Sequence, residues 1–324
     1  MLKNLVKTLE VSILEDYFAV NYLIMTPKDN LLNLVSIYLY ISDLHQKTLK
    51  YVSFRYSNNS EPIFTDPEII SIYLFVIHEI QLFKIKQIYK YTKMHLLSWF
   101  PNLPSYVAFV KRINRLSESF KIITSVILTD FKPKDCFENI SLVDSMPIIT
   151  CSAKRNAKVA TEITNKGYNS TKNLYFYGLK LHALAFKRLN KIPFIEQIYI
   201  STASENDLNV FKQNWNSIPN RTFYGDKIYI DNDFFNNYFK TFNSTMLTPI
   251  KNIKGTPEII KQRDKAANEL VSNAISTVRQ PIESFFNWLN EKTDIQKASK
   301  VRSSNGLLVH VFGKIAAAFI YLVF

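Results

Sequence analysis

Three carboxylates sit where a carboxylate needs a reason. Asp144 lies inside the apolar run Ser-Leu-Val-Asp-Ser-Met-Pro-Ile-Ile (141–149), and a charge among such neighbours is costly to bury unless it is paired or bound to a metal. Asp226 directly follows Gly225 in Phe-Tyr-Gly-Asp-Lys-Ile-Tyr, where the glycine allows a bend or a close approach of the backbone. Glu283 lies in Arg-Gln-Pro-Ile-Glu-Ser-Phe-Phe-Asn-Trp-Leu and borders the apolar helix face made by Ile282, Phe285, Phe286 and Leu289. Carboxylates converging from two strands and a helix suit a hard divalent cation, Mg²⁺ or Mn²⁺ in its place, because such ions take oxygen ligands and leave positions open for phosphate. A pair of these ions stabilises both the attacking and the leaving oxygen of an in-line phosphoryl displacement. Taken singly, each acid also has a structural reading: Asp144 as a strand-end cap, Asp226 as a turn residue, Glu283 as the i,i+4 partner of Arg279.

The elements that must position these acids begin near Ile140. From there, period-two alternation and β-rich runs predict strands over 141–150, 174–186, 194–202, 221–230 and 245–249, with helical stretches at 205–215 and 233–242. That order predicts an α+β or α/β fold, a mixed sheet with helices packed on it. Asp144 falls in the first of these strands, Asp226 in the fourth and Glu283 on a following helix. Before residue 135 the chain reads as mostly helical. Thr65-Asp66-Pro67-Glu68 is a capping box with Pro in the first turn, and Pro-Asn-Leu-Pro-Ser (101–105) opens a second helix in which Tyr106, Phe109, Val110, Ile113 and Leu116 recur at helical spacing. Lys111, Arg112 and Arg115 lie on the other side of that helix, where they are expected to be exposed and to contact phosphates. The charged, Pro-containing stretch Phe-Lys-Pro-Lys (131–134) divides a helical part, 1–135, expected to bind DNA, from a part, 136–324, expected to carry the chemistry.

Further basic residues surround the acids. Lys180 and His182 are two apart on a strand and so share one face, a placement suited to phosphate contact or to a solvated edge. Lys251 and Lys254 open a basic stretch before the Glu283 helix that could track a nucleic-acid backbone or form a solvated loop. The remaining His residues show no metal-ligand spacing, and there is no Cys-x-x-Cys pair or phosphate-binding Gly-rich loop, so neither a zinc site nor ATP hydrolysis is expected.

Composition agrees with a nucleic-acid partner. The 324 residues carry 40 Lys and Arg against 27 Asp and Glu, a formal net charge of +13, and a surplus of cations is what a protein that neutralises phosphates needs. With 47% hydrophobic residues the chain has material for a large core, which excludes disorder as its main state. Two cysteines, Cys136 and Cys151, exclude a disulfide framework and point to a reducing, cytoplasmic setting. The run 306–324 is the one membrane-like segment. Lys314 inside it would cost roughly 2.5–3.5 kcal/mol at the centre of a bilayer, so it is expected to be a core helix of the catalytic domain and no membrane partner is expected.

Several short stretches, in this order, resemble the DDE transposases of bacterial insertion sequences: Val-Asp-Ser-Met-Pro-Ile (143–148), Tyr-Gly-Leu-Lys-Leu-His (177–182), Gly-Asp-Lys-Ile-Tyr (225–229), Leu-Thr-Pro-Ile-Lys-Asn (247–252) and Arg-Gln-Pro-Ile-Glu-Ser-Phe-Phe (279–286). The family numbered nine-eight-two is the nearest in pattern. The resemblance implies an RNase H-like sheet with flanking helices, with Asp144, Asp226 and Glu283 as catalytic residues and Mg²⁺ ligands and Arg279 as their basic companion. It implies cleavage at element ends and strand transfer to target DNA by a homodimer or higher oligomer. An RNase H-like nuclease, or a non-catalytic DNA-binding descendant of a transposase, are the alternatives it leaves open.

Overall fold

The computed structural model describes residues 30–53, 62–154, 158–169, 173–251 and 257–324. Lys254 lies outside the described residues. The chain forms two compact units. One is helical and takes the residues up to Ile127 with Lys292–Ile295 and Lys300–Phe324; the other carries the sheet and takes Leu128–Glu291 with Gln296–Ser299.

The helical unit contains α1 (Asn30–Leu44), α2 (Asp66–His78), α3 (Ile85–His95), α4 (Tyr106–Arg115), α5 (Ser117–Asp130) and, from the far end of the chain, the helical run α9 (Ser304–Val323). The Thr65 capping box forms as expected: its hydroxyl accepts from Glu68 N and the Glu68 carboxylate takes the Thr65 N–H. Ile69, Ile70, Ile72, Leu74, Val76 and Ile77 of α2 are all fully buried, so this helix is apolar on every side and forms the centre of the unit. α9 lies in the helical unit, apart from the sheet that the sequence pattern groups it with. It packs on α2 and α5: Tyr73 Oη donates to Val309 O at 3.4 Å, and Thr124 Oγ1 to Phe312 O at 2.9 Å. Gly313 allows the approach, since a Cβ there would stand 2.7 Å from the Tyr73 ring. The reason is apolar area: a helix buried on all faces needs more cover than its sequence neighbours supply. By length and composition α9 could cross a membrane, with a mean hydropathy of 1.9, yet 67% of it is buried within the protein. Its polar groups are met internally, Lys314 Nζ donating to Asp294 O at 3.1 Å and His310 Nε2 lying 2.8 Å from Ile295 O.

On α4, Arg112 and Arg115, expected to be exposed, are half-buried and paired with an acid: Arg112 Nη2 reaches Asp66 Oδ1 at 2.9 Å and Arg115 Nη2 reaches Asp66 Oδ2 at 3.0 Å. Asp66 opens α2, where a carboxylate complements the helix macrodipole, and two arginines one turn apart on α4 close around it. Of the three cations singled out on α4, Lys111 alone is exposed.

The sheet unit is built on two long antiparallel strands, β1 (Cys136–Ser152) and β3 (Leu174–Arg188), paired from Cys136–Arg188 to Ser152–Phe176. Along the other edge of β3 run β2 (Asn165–Asn169), beside residues 174–178, and β4 (Phe194–Thr202), beside residues 179–186. The free edge of β1 pairs in parallel with β5 (Thr222–Tyr224), and β5 with β6 (Thr245–Leu247), giving the order β2-β3-β1-β5-β6. The helices of this unit are α6 (Asp207–Asn214), α7 (Glu258–Arg279) and α8 (Pro281–Thr293). Phe211 of α6 sits among Val143, Leu184, Trp215, Phe223, Tyr229 and Phe239 in an aromatic core that fixes α6 on the sheet.

The expected fourth strand, 221–230, is cut short. β5 ends at Tyr224, and the chain turns at Gly225-Asp226 into a single 3₁₀ turn, Lys227–Tyr229. The turn delivers Tyr229 into the core, and Gly225 makes room for it, since a Cβ there would lie 2.7 Å from the Tyr229 ring. Burying that aromatic ring outweighs three more residues of edge pairing.

Candidate active site

The parallel pairing of β1 with β5 ends at Leu142–Tyr224. Two residues further along the sequence come Asp144, in the middle of β1, and Asp226, just past the end of β5, so both acids follow directly on the stretch where the two strands run in parallel. Asp144 is still within β1, opposite Ala183 of β3. Asp226 is not in a strand. It caps the 3₁₀ turn with its Oδ1 on Lys227 N and is exposed. Glu283 arrives in the first turn of α8, three residues after Gln280, where the backbone joining α7 to α8 keeps helical angles, and its side chain is about half exposed (53%).

Arg279, the last residue of α7, joins the acids. Its Nη1 donates to Asp144 Oδ2 at 2.9 Å and its Nη2 to Glu283 Oε1 at 2.5 Å. Asp144 Oδ1 also accepts from Ser145 N at 2.8 Å. Burial raises the Asp144 pKa to about 6; Arg279 and the Ser145 amide oppose that rise, while Asp226 and Glu283 add to it. The three acids therefore feel one another's charge across a common region. Among the described residues, however, no group of three or more His, Cys, Asp or Glu is drawn close enough to hold a metal ion. Asp144 and Glu283 instead share a guanidinium. The donor set is all oxygen, the chemistry that Mg²⁺ and Mn²⁺ take, and two of its members already converge on one cation, so the residues fit a divalent ion in type and in the charge they lack.

Lys180 and His182 share a face of β3 as their spacing requires, but that face is internal. His182 is fully buried, with Nε2 at 2.7 Å from Ser201 Oγ, and burial pulls its pKa down to about 4. Lys180 Nζ donates to Glu205 O at 2.8 Å and to Asp207 Oδ1 at 2.9 Å. Burial closes His182 to a phosphate, and the Lys180 ammonium is already taken by Asp207, a fourth acid that sequence reasoning passes over; His182 Nδ1 lies 3.8 Å from the same carboxylate. Asp207 Oδ2 also accepts from Ser145 Oγ at 2.9 Å, and Ser145 adjoins Asp144. A buried network thus runs from β3 through the start of α6 to the residue beside Asp144. The available signal is Asn206-Asp207, an N-cap followed by an acid in the first turn, which reads as helix capping alone. Lys251 is exposed just beyond β6.

The family model described as a transposase DDE domain matches residues 134–303. The match takes in β1 to α8, with Asp144, Asp226, Arg279 and Glu283, and stops one residue before α9. No curated protein matches the chain. The order of short motifs that resembles DDE transposases is thus matched over more than half of the sequence, and the chain belongs to the transposase DDE domain family.

Proposed function

We propose that this protein is a DNA transposase with an RNase H-like catalytic core, in which Asp144, Asp226 and Glu283 are the catalytic carboxylates and hold Mg²⁺ or Mn²⁺ for cleavage at element ends and joining to target DNA. The observation that carries the reading is Arg279 held between Asp144 and Glu283, with Asp226, just past the end of the parallel strand β5, within electrostatic reach of Asp144. Three acids with one guanidinium leave a net charge deficit that a divalent ion and a phosphodiester can fill. Divalent ions bound there supply charge stabilisation for the attacking and leaving oxygens. The chain's own part is positional. β1 and β3 hold Asp144 within the unbroken antiparallel register from Ser141–Phe186 to Ile149–Gly178, Asp207 secures the neighbouring Ser145, and Arg279 at the end of α7 ties Glu283 to Asp144. Three antiparallel strands followed by two parallel ones, in the order β4-β3-β1-β5-β6, support the RNase H-like assignment. Burial of two-thirds of α9 in the helical unit supports a protein that works without a membrane.

Incubation of the full chain with DNA bearing its element ends, with and without Mg²⁺ or Mn²⁺, tests the reading. Metal-dependent cleavage and joining are expected, and Asp144→Asn, nearly unchanged in volume, is expected to lower both by at least about a hundredfold with the fold retained. Cleavage without joining would make the protein a nuclease; DNA binding with neither would leave a non-catalytic binder; normal cleavage by Asp144→Asn would remove the site.

A further inference from the structure

From Ile80 to Ser117 the chain contains no Asp or Glu, yet it carries Lys84, Lys86, Lys90, Lys93, Lys111, Arg112 and Arg115. The structure divides these cations into two kinds. Arg112 and Arg115 are neutralised by Asp66 and help to hold α4 on α2. Lys86, Lys90 and Lys93 are all exposed, and among the described residues none has an acidic partner. Their spacing of four and three places them along one stripe of α3, spanning on the order of 10 Å at the helical rise. The opposite stripe of the same helix, Ile88 and Thr92, is fully buried, so the lysines face away from the core.

The neighbouring surface is fixed by α3 itself. Tyr89, between the lysines in sequence, donates its hydroxyl to Pro104 O at 3.0 Å and stacks edge-on against Tyr106, with ring centres 5.3 Å apart, and against Phe109 at 5.5 Å. This joins the lysine stripe to the first turn of α4, where Tyr106 and Val107 are exposed and Lys111 follows one turn later. Like charges held this close without carboxylates repel one another, a cost that a ligand with regularly repeated negative charge would offset. A phosphodiester backbone has that repeat, with one phosphate per 3.4 Å of axis on each strand.

We propose that Lys86, Lys90 and Lys93 of α3, bordered by Tyr106 and Lys111 of α4, are the duplex-DNA docking face of the helical unit. The inference deepens the transposase reading and rests on it for the identity of the polyanion. It also moves the contact away from Arg112 and Arg115. Because α9 completes the helical unit, the test uses the full chain: binding of a short fluorescein-labelled duplex of mixed sequence, followed by anisotropy between about 50 and 200 mM salt. Lys86→Gln/Lys90→Gln/Lys93→Gln is expected to weaken binding at least about tenfold at the low-salt end and to reduce the magnitude of the salt slope by close to three, one for each phosphate no longer neutralised. The corresponding triple Lys→Arg variant is expected to bind like the parent. An unchanged melting temperature confirms that the Gln variant is folded, and Ala at these three positions replaces it if it is not. Parental affinity and slope in a folded charge-neutral variant would overturn the proposal, as would failure of the parent chain to bind duplex at all. Equal loss of binding to anionic phosphatidylserine vesicles, with DNA binding retained, would assign the stripe to a membrane surface instead. Mn²⁺ binding, measured in parallel, keeps the two ideas apart. If the chain takes up no Mn²⁺ while the lysine variant loses DNA, the catalytic reading falls and the docking face stands.

Discussion

Two clusters in this molecule use the same groups in opposite proportion. In the helical unit one carboxylate, Asp66, lies between two guanidiniums, those of Arg112 and Arg115. In the sheet unit one guanidinium, that of Arg279, lies between two carboxylates, Asp144 and Glu283, with Asp226 a third acid in electrostatic reach. The first arrangement is complete: the acid has its partners, sits at a helix start that favours it, and joins two helices. The second is left short of positive charge, and Asp144 responds, its pKa rising to about 6 as burial and its acidic neighbours disfavour ionisation. A cluster that satisfies itself is architecture, and one that remains in deficit has room for a cationic ligand. Pair by pair the two clusters look alike, each an arginine on a carboxylate at hydrogen-bond distance. The balance of charge is what separates them.

The comparison breaks most directly at Asp66. Asp66→Asn leaves two guanidiniums without their counter-charge, and removing one side of a partly buried pair destabilises. With side chains between 11% and 34% exposed, the expected loss is about 1–3 kcal/mol. Chemical denaturation should show the loss in the helical unit, with Mn²⁺ binding and cleavage unaltered under conditions where the chain is folded. Loss of Mn²⁺ binding in the folded variant would mean that the two clusters are not independent.

Lys314 supplies the intermediate case, a buried cation whose hydrogen-bond acceptor is neutral. Burial lowers its pKa from 10.5 to about 7, against the pull of the Asp294 charge. A depressed lysine binds its proton less readily folded than unfolded. Above about 10.5 both states are neutral and there is no penalty; between there and about 7 the unfolded chain holds more protons, so stability falls as the pH falls through that window and levels off below it. The parent is therefore expected to be more stable at pH 9.5 than at pH 7 in this respect. Lys314→Met is expected to flatten that part of the profile and to raise stability near neutrality by on the order of 1 kcal/mol or more. A profile that is equally steep in the variant would assign the slope to other groups.

How much of this is legible in the sequence depends on whether the cause is local. The Thr65 capping box, the long strands around Asp144 and the helix of Glu283 follow from neighbouring residues, and they form where spacing places them. Tyr-Gly-Asp-Lys-Ile-Tyr alternates and so predicts a strand through Asp226. The chain turns there instead because Tyr229 is needed in a core assembled from Phe211, Phe223 and Phe239, and most of that core comes from other elements. β2 gives no signal of its own, since Asn-Lys-Gly-Tyr-Asn has little apolar patterning; it is an edge strand specified by its pairing with Leu174–Gly178 and by Gly167, whose hydrogen faces Ala203 where a Cβ would be 2.4 Å from the carbonyl oxygen. Arg112, Arg115, Lys180 and His182 all read as surface cations. Their partners, Asp66 and Asp207, lie on other elements, and no spacing rule links a helix-capping acid to an arginine or lysine more than twenty residues away. The packing partner of α9 is illegible for the same reason, because the surface it covers belongs to α2.

The smallest expected effect is also the finest test of the charge-deficit argument. Arg279 now neutralises part of the cluster and occupies the space between Asp144 and Glu283. If the acids are gathered to bind a divalent ion, the guanidinium repels that ion and competes for the same oxygens. Arg279→Gln then removes one positive charge while keeping a shorter, neutral hydrogen-bond donor. Mn²⁺ should bind several-fold more tightly, an effect worth about 1 kcal/mol, and the metal-free variant should melt at a lower temperature because its carboxylates no longer share a cation. Calorimetric titration with Mn²⁺ and thermal melts with and without the ion read both quantities on one sample. The two shifts must have opposite sign: a less stable metal-free protein, a more strongly stabilised metal-bound one. Were Arg279→Gln to weaken Mn²⁺ binding, the arginine would be holding the ligands in place rather than standing in for the ion. The cluster would then be a second self-satisfied lock, of the same kind as the one at Asp66.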